Sequence, residues 1–285
     1  MIHDFDPHSY LPARYETVVP IPARADNYIW RIGPSAPDLQ QVVIVDPGEA
    51  APVLAHLDAH ALTPAAILIT HHHQDHVAGL AELKARWPQA RVIGPADCVV
   101  HGVEEVVMDE DIVQIAPLGL TLQVLGTPGH TADHLSYFCE SLPGHPAPAL
   151  FCGDTLFAGG CGRVFDGTIE QLFRSLTTLV ATLPDDTRIY AAHEYTLGNL
   201  QFALAAEPGN ARISQRLEAC QLLRARQEPT LPTTLALENA TNPFLRSHLP
   251  ALSQALPDSL RPAYIDSFTV FEALRNWKNV FRPPV

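Results

Sequence analysis

The heptapeptide THHHQDH at residues 70–76 constrains this chain more than any other part of the sequence. It follows the apolar run AAILIT at residues 65–70, which is typical of a short buried strand. Where a chain leaves a strand in an extended conformation, residues i and i+2 point in the same direction. The side chains of His71 and His73 can therefore bind one metal ion together, while His72 points away from it.

Asp75 and His76 lie at the turn into a helix predicted for residues 77–87, where apolar side chains recur at helical spacing. They face a second point a few ångströms from the first. The segment therefore predicts two adjacent metal ions, about 3.5–4 Å apart as in other binuclear sites. The alternative is a solvent-exposed histidine-rich loop, but four ligand-type side chains in this order favour a metal site.

Three further candidate ligands each follow a predicted strand. Loops at strand ends are where functional residues gather on a rigid scaffold, and an unpaired carboxylate at the end of a buried strand would be costly. Each residue taken alone is equally consistent with a local hydrogen bond, but together they supply the ligands that two ions still need. They are His130 in TPGH, Asp154 in FCGD and His193 in AAHEY.

The predicted elements indicate a mixed α/β domain over residues 1–195 and a smaller helical domain over residues 196–285. Before residue 195, short β-branched runs alternate with turns, and Thr168 begins a capping box that predicts a helix. Amphipathic helical patterns then follow at 197–206, 211–227 and 269–279, separated by proline-rich stretches. The predicted strands are 41–48, 65–70, 91–95, 120–129, 135–139, 149–154 and 188–195.

Composition excludes several classes of partner. The net charge of −13 opposes binding to nucleic acid and to anionic membranes, and an anionic substrate would need a local cluster of basic residues. No stretch approaches eighteen consecutive apolar residues, so no membrane span is predicted. Residues 1–16 lack the apolar segment of a secretory signal, and the five cysteines form no CxxC pair. We therefore expect a cytoplasmic protein with reduced thiols.

The motif at residues 70–76 resembles the HxHxDH signature of the metallo-β-lactamase superfamily, and TPGH, CGD and AHEY resemble its later ligand motifs. The resemblance implies an αββα sandwich. It also implies that Asp154 bridges two ions. The ligands that it implies are His71, His73 and His130 for the first ion, and Asp75, His76 and His193 for the second. As a ligand of the second ion, Asp75 is well placed to accept a hydrogen bond from the attacking hydroxide and to orient it.

Within this superfamily the chain resembles the glyoxalase II (hydroxyacylglutathione hydrolase) family over nearly its whole length, including the helical domain. That family hydrolyses S-D-lactoylglutathione, an anionic thioester, to glutathione and D-lactate in methylglyoxal detoxification. The blocks that carry the resemblance are residues 21–30, 44–48, 150–168, 191–200, 241–246 and 275–278. The residues that it implies contact glutathione are Arg163, Tyr195, Arg275 and Lys278.

Two positions depart from the family pattern. Asp133 stands where the family often has glycine, and Phe165 stands where some members have tyrosine, which removes one hydroxyl from the expected glutathione contacts. His134 is interpreted as a structural residue, since both ions already have their ligands. We expect both departures to affect substrate affinity rather than the chemistry.

Two alternative functions are consistent with the same ligand motifs. Another enzyme of the same superfamily would share the ligand motifs, for example a different thioesterase or a glutathione persulfide dioxygenase. A catalytically inactive metal-binding scaffold is the alternative outside enzymes. Nitrogen and oxygen ligands accept zinc, iron or manganese, and we expect two divalent ions, with zinc preferred. The expected partner is a glutathione thioester, and the expected state is a monomer.

Overall fold

Two six-stranded β-sheets form the centre of the structure, a computed structural model that describes residues 17–34, 39–142 and 147–282. Residues 1–16, predicted not to be a secretory signal, lie outside the described residues. None of the helices in the described ranges is long and apolar enough to cross a bilayer.

The first sheet has its strands in sequence order, and its second half is parallel. Parallel neighbours need a crossover connection. Helix α1 (Ala50–Ala59) lies between the third and fourth strands, and helices α2 (Gln74–Val77) and α3 (Leu80–Arg86) lie between the fourth and fifth. The strands are β1 (Val18–Ala23), β2 (Asn27–Ile32), β3 (Gln41–Val45), β4 (Thr63–Leu68), β5 (Arg91–Gly94) and β6 (Glu105–Val106).

In the second sheet, one pair of neighbouring strands, the second and third in spatial order, runs parallel. All other neighbours are antiparallel. Helix α4 (Ile169–Thr182) makes the crossover, and a short hairpin of β11 (Leu156–Phe157) and β12 (Gly160–Cys161) precedes it. In spatial order the strands are β14 (Thr233–Thr234), β13 (Arg188–Ala191), β10 (Ala149–Gly153), β9 (Leu135–Cys139), β8 (Leu120–Gly126) and β7 (Ile112–Ile115).

Strand β3 shows why the first sheet is buried on both faces. Val43 and Val45 belong to the core shared with the second sheet, whereas Val42 and Ile44 pack in a separate core with α1 and α3. Alternate residues of a strand point to opposite faces, so covering both faces requires a continuous apolar run. The sequence VVIV in this strand meets that requirement.

The helical region after β13 packs against the second sheet. Its last helix contacts α4, where the Phe173 and Phe271 rings lie 5.3 Å apart, and Thr168 forms the predicted capping box of α4. The αββα sandwich and the helical C-terminal region are confirmed, with β14 as a short strand contributed by that region. Its helices are α5 (Thr196–Ala206), α6 (Ala211–Ala225), α7 (Leu235–Thr241), α8 (Pro250–Ala255) and α9 (Ser267–Val280).

Candidate active site

All seven side chains proposed as metal ligands lie together at one end of the two sheets. The segment that leads from β4 into and through α2 carries four of them, and the other three follow β8, β10 and β13. They form groups whose ligand-type atoms lie within 4.8 Å of one another. The groups are His71, His73 and His130, then His71, His76 and Asp154, and then Asp75, His76 and His193.

Asp154 occupies the middle of this cluster. Its Oδ2 lies 3.4 Å from Nε2 of His130, and its Oδ1 lies 3.4 Å from Nε2 of His193 and 3.5 Å from Nε2 of His76. One carboxylate oxygen therefore faces each side of the cluster. Asp75 lies on the second side, with its Oδ2 3.3 Å from Nε2 of His193.

The first side of the cluster consists of three imidazole rings. Nδ1 of His73 lies 3.1 Å from Nε2 of His71 and 3.0 Å from Nε2 of His130. His72 points away, as predicted, and faces Asp166 with its Nε2 3.6 Å from Oδ2. Three ring nitrogens that converge in this way cannot all donate hydrogen bonds, so the arrangement suits a cation that accepts their lone pairs.

Four of the histidine rings have a polar atom close to Nδ1, on the side away from the cluster: a hydrogen-bond partner for three of them and, for His76, a carboxylate oxygen at ion-pair distance. Such a partner holds the ring proton on Nδ1 and turns the lone pair of Nε2 towards the cluster. The partners are Thr70 Oγ1 for His71 at 3.0 Å, Asp46 Oδ2 for His76 at 3.0 Å, Arg163 O for His130 at 2.6 Å and Asp26 Oδ1 for His193 at 2.8 Å.

The sequence reasoning missed Asp26 and Asp46. Both lie in blocks that resemble the glyoxalase II family, but no local spacing connects Asp26 to His193, which is 167 positions away. Asp46 also accepts hydrogen bonds from the backbone N and the hydroxyl of Thr70, at 2.8 and 2.7 Å. Since its hydroxyl donates to Asp46, Thr70 accepts from His71 Nδ1.

Gly153 allows Asp154 to reach the cluster. Its φ of +47° lies in the left-handed region, and a Cβ there would lie 2.3 Å from the hydroxyl oxygen of Thr70. The backbone N of Asp154 donates to Nε2 of His134 at 3.1 Å. His134 therefore fixes the backbone of Asp154 and does not face the cluster as a ligand.

The groups around each histidine of the cluster shift its pKa, and the shifts of His71 and His193 have opposite signs. Burial, together with the neighbouring His76, holds the pKa of His71 well below its usual value. Burial also lowers the pKa of His193, but the charge of Asp154 and the hydrogen bonds that the ring donates to Asp75 and Asp26 outweigh it and raise this pKa to about 9. The second side of the cluster, where the carboxylates lie, is therefore the more attractive to positive charge.

Two buried atoms without a hydrogen-bond partner show that the cluster suits a pair of metal ions. Nε2 of His76 and Oδ1 of Asp154 are both buried and have no hydrogen-bond partner. Leaving such atoms unpaired costs free energy, and buried polar groups without a partner call for an explanation. A cation that both atoms coordinate removes that cost.

A cavity of about 520 Å³ opens from the cluster towards the helical region. Its walls include the ligand-type residues His130 and Asp154, the aromatic rings of Phe157 and Phe165, and all four residues predicted to contact glutathione. These four are Arg163, Tyr195, Arg275 and Lys278.

The basic side chains of the cavity differ in their freedom. Arg163 is exposed, and its Nε lies 3.5 Å from Oδ1 of Asn279. Arg275 is 5% exposed, and its Nη1 donates to the carbonyl oxygens of Cys161 and Gly162 at 2.9 and 3.2 Å. Arg275 thus joins α9 to the end of the hairpin as well as lining the cavity.

Lys278 and Tyr195 complete the wall. Burial, together with the nearby Arg275, lowers the pKa of Lys278 to about 8, and its Nζ donates to the carbonyl oxygen of Gly198 at 2.9 Å. The Tyr195 ring stacks on the His193 ring at 4.7 Å. Burial raises the pKa of the Tyr195 hydroxyl, so it remains a hydrogen-bond donor at neutral pH.

Comparison with known proteins agrees with this geometry. The metallo-beta-lactamase superfamily matches residues 38–193, and the family described as hydroxyacylglutathione hydrolase C-terminus matches residues 194–281. Hydroxyacylglutathione hydrolases from Chromohalobacter salexigens and Cupriavidus taiwanensis are each 48% identical to this chain, over 93% of it and 99% of theirs. The chain belongs to the hydroxyacylglutathione hydrolase family.

Membership of the family confirms the resemblance drawn from the motifs. Among solved structures, ETHE1 from Myxococcus xanthus is 27% identical, with a TM-score of 0.60 over 90% of this chain and 88% of that one. The BLEG-1 B3 metallo-beta-lactamase is 22% identical, with a TM-score of 0.57 over 80% and 98%. These two share the fold of the sandwich.

Proposed function

We propose that this chain hydrolyses the thioester of S-D-lactoylglutathione and related S-2-hydroxyacylglutathiones, releasing glutathione and a 2-hydroxy acid. The single observation that carries the proposal is the position of Asp154. It presents one oxygen to each side of the histidine cluster and also lines a cavity that contains basic side chains. Family membership, with relatives named for this activity over nearly the whole chain, supports the choice of substrate.

Two divalent ions would be held by the cluster. The first would take His71, His73 and His130, the second would take Asp75, His76 and His193, and Asp154 would contact both. When bound, such ions supply Lewis acidity, which lowers the pKa of a water molecule towards about 7 and polarises the thioester carbonyl. Zinc fits the mixed nitrogen and oxygen ligands, and iron and manganese are the alternatives.

Asp75 is proposed to orient the attacking water. Its Oδ2 accepts a hydrogen bond from Nδ2 of Asn27 at 3.2 Å and faces His193. Burial alone would raise the pKa of Asp75, but His193, His76 and Asn27 together lower it well below the usual value. The carboxylate therefore stays ionised and accepts a hydrogen bond from the water.

The cavity is proposed to hold the glutathione moiety. This substrate carries two carboxylates, and the basic side chains of Arg163 and Lys278 lie at the wall where they would pair with them. Arg275 adds positive charge beside them while its donors fix the wall. The Tyr195 hydroxyl donates to a polar group of the substrate, and the aromatic rings exclude water from the thioester.

The proposal extends to the roles of the two domains, the cellular compartment and the oligomeric state. Residues 1–195 would act as the catalytic domain and 196–285 as the domain that completes the substrate cavity. All five cysteines are buried and free, which suits a reducing cytoplasm, and the enzyme is proposed to work there as a monomer.

The test is hydrolysis of S-D-lactoylglutathione, measured by the loss of thioester absorbance before and after chelation. Turnover that stops on chelation and returns with added zinc, iron or manganese supports the proposal. A protein that binds two ions per chain and leaves the thioester intact refutes the substrate. Oxidation of glutathione persulfide, assayed in the same samples, separates hydrolysis from the alternative chemistry.

A further inference from the structure

Arg216 on α6 and Glu238 on α7 form an ion pair in the interior of the helical region. Nη2 of Arg216 lies 2.6 Å from Oε1 of Glu238, and the two residues are 2% and 0% exposed. Both charges lose their hydration when buried, so such a pair contributes little net stability compared with well-packed apolar side chains. Neither residue lines the substrate cavity. The hydrogen bonds around Glu238 indicate a role other than stability or direct contact with the substrate.

The Glu238 carboxylate accepts four hydrogen bonds. Oε1 accepts from Arg216 and from the hydroxyl of Thr233 at 2.7 Å. Oε2 accepts from the backbone N of Gly159 at 2.8 Å and from Nδ2 of Asn242 at 3.0 Å. Every partner is a donor, which matches a side chain whose two oxygens both accept, and the guanidinium of Arg216 lies against it.

Oε2 connects this pair to the β11–β12 hairpin. Gly159 lies at the turn of that hairpin, and Asn242 also donates to the carbonyl oxygens of Gly160 at 2.9 Å and Phe157 at 3.3 Å. The helical region thus holds the turn and both strands through Glu238 and Asn242.

The hairpin forms part of the cavity wall. Phe157 and Cys161 line the cavity, and the Phe157 ring packs edge-on against the Tyr195 ring at 5.2 Å and the His193 ring at 5.9 Å. Two strands of two residues each share few hydrogen bonds with each other, so their position depends on the burial of their apolar side chains and on the hydrogen bonds from the helical region.

We propose that Glu238 is a positioning residue for substrate binding. By accepting the hydrogen bonds of Gly159 and Asn242, it fixes the β11–β12 hairpin so that Phe157 and Cys161 give the cavity the shape that the substrate needs. The inference rests on the proposed function of the cavity and assigns no contact between Glu238 and the substrate.

The decisive variant is Glu238→Gln, which keeps the size of the side chain. A glutamine amide has one acceptor oxygen, so if this oxygen stays with Arg216, the NH₂ group faces the donors of Gly159 and Asn242. Two donors then lose their acceptor. We expect the KM for S-D-lactoylglutathione to rise about tenfold. The kcat and the metal content per chain should stay within about twofold, because no cluster ligand is bonded to Glu238.

A matched control is available in the same region. Glu207 and Arg246 form a second ion pair, with Oε1 to Nη2 at 2.6 Å and Oε2 to Nε at 2.9 Å. Neither residue donates to or accepts from the hairpin among the hydrogen bonds of the described residues. Glu207→Gln makes the same chemical change and should leave KM unaltered, so a general loosening of the helical region is separated from a shift of the hairpin.

A second variant, Asn242→Ala, removes the donors to Phe157 and Gly160 while keeping the charge pair. It should raise KM in the same direction. Metal-loaded unmodified protein without turnover refutes the proposed function, and the positioning role with it. An active unmodified protein whose KM is unchanged in both variants refutes the positioning role alone. It is also overturned if Glu207→Gln raises KM equally, or if both test variants fail to fold while the control folds.

Discussion

Removing the Asp26 carboxylate tests the proposed metal site through a side chain that does not face the cluster. Its Oδ1 lies 2.8 Å from Nδ1 of His193, so its loss frees the ring and removes the acceptor that holds the proton on Nδ1. Losing such an outer partner typically weakens metal binding about 10–100-fold, equivalent to about 1.4–2.7 kcal/mol. We expect Asp26→Ala to weaken the binding of one of the two ions by this factor. Asp26→Asn should weaken it less, because the amide oxygen can still accept.

The assay is titration of metal-free protein with zinc in competition with a chromophoric chelator. A matched control is Asp133→Ala, since Asp133 faces His72, with Oδ1 3.9 Å from Nδ1, outside the cluster. Its zinc affinity should equal that of the unmodified protein. The proposed role of Asp26 is refuted if Asp26→Ala binds both ions with unmodified affinity, or if Asp133→Ala weakens binding to the same extent.

Three further outcomes are expected. Asp154→Ala should lose metal and activity together, because one side chain serves both sides of the cluster; full metal content by elemental analysis would contradict the bridging role. Lys278 is protonated below its pKa of about 8, so KM should rise as the pH increases through 8. Lys278→Arg should remove this dependence, because arginine stays charged; an identical pH profile of KM in this variant would count against the contact. Phe151 is fully buried, and its ring stacks on that of Tyr190 at 4.9 Å. Phe151→Ala should therefore lower the free energy of unfolding, measured by urea denaturation, by about 3–5 kcal/mol. A loss below about 1 kcal/mol would contradict this expectation.

The strands that precede the cluster could be predicted because each is an apolar run that ends at a turn. The positions of β4, β8, β10 and β13 follow from that pattern, and so does the placing of candidate ligands at their ends. The helix predicted for residues 77–87 is instead divided, with α2 ending at Val77 and α3 beginning at Leu80. Gly79 lies between them, where a Cβ would meet the carbonyl oxygen of Pro47 at 2.5 Å, a tertiary contact that periodicity does not reveal.

The groups that orient the ligands were beyond prediction from the sequence. Asp26 reaches His193 only because the loop after β1 meets the loop after β13, and this pairing depends on how the two sheets pack. Glu238 gave no signal either, since a single glutamate is normally an exposed residue. Its burial is explained by Arg216, which lies on another helix and is itself buried.

The cluster draws its residues from both layers of the sandwich. His71 follows a strand of the first sheet, whereas His130, Asp154 and His193 follow strands of the second. Ions held between them would cross-link the two layers and bind the folded chain far better than the unfolded one, so their binding free energy becomes folding free energy. Each tenfold increase in free metal above the dissociation constant would then add about 1.4 kcal/mol per ion to the stability. The resistance of this enzyme to heat would therefore follow the metal supply of the cell.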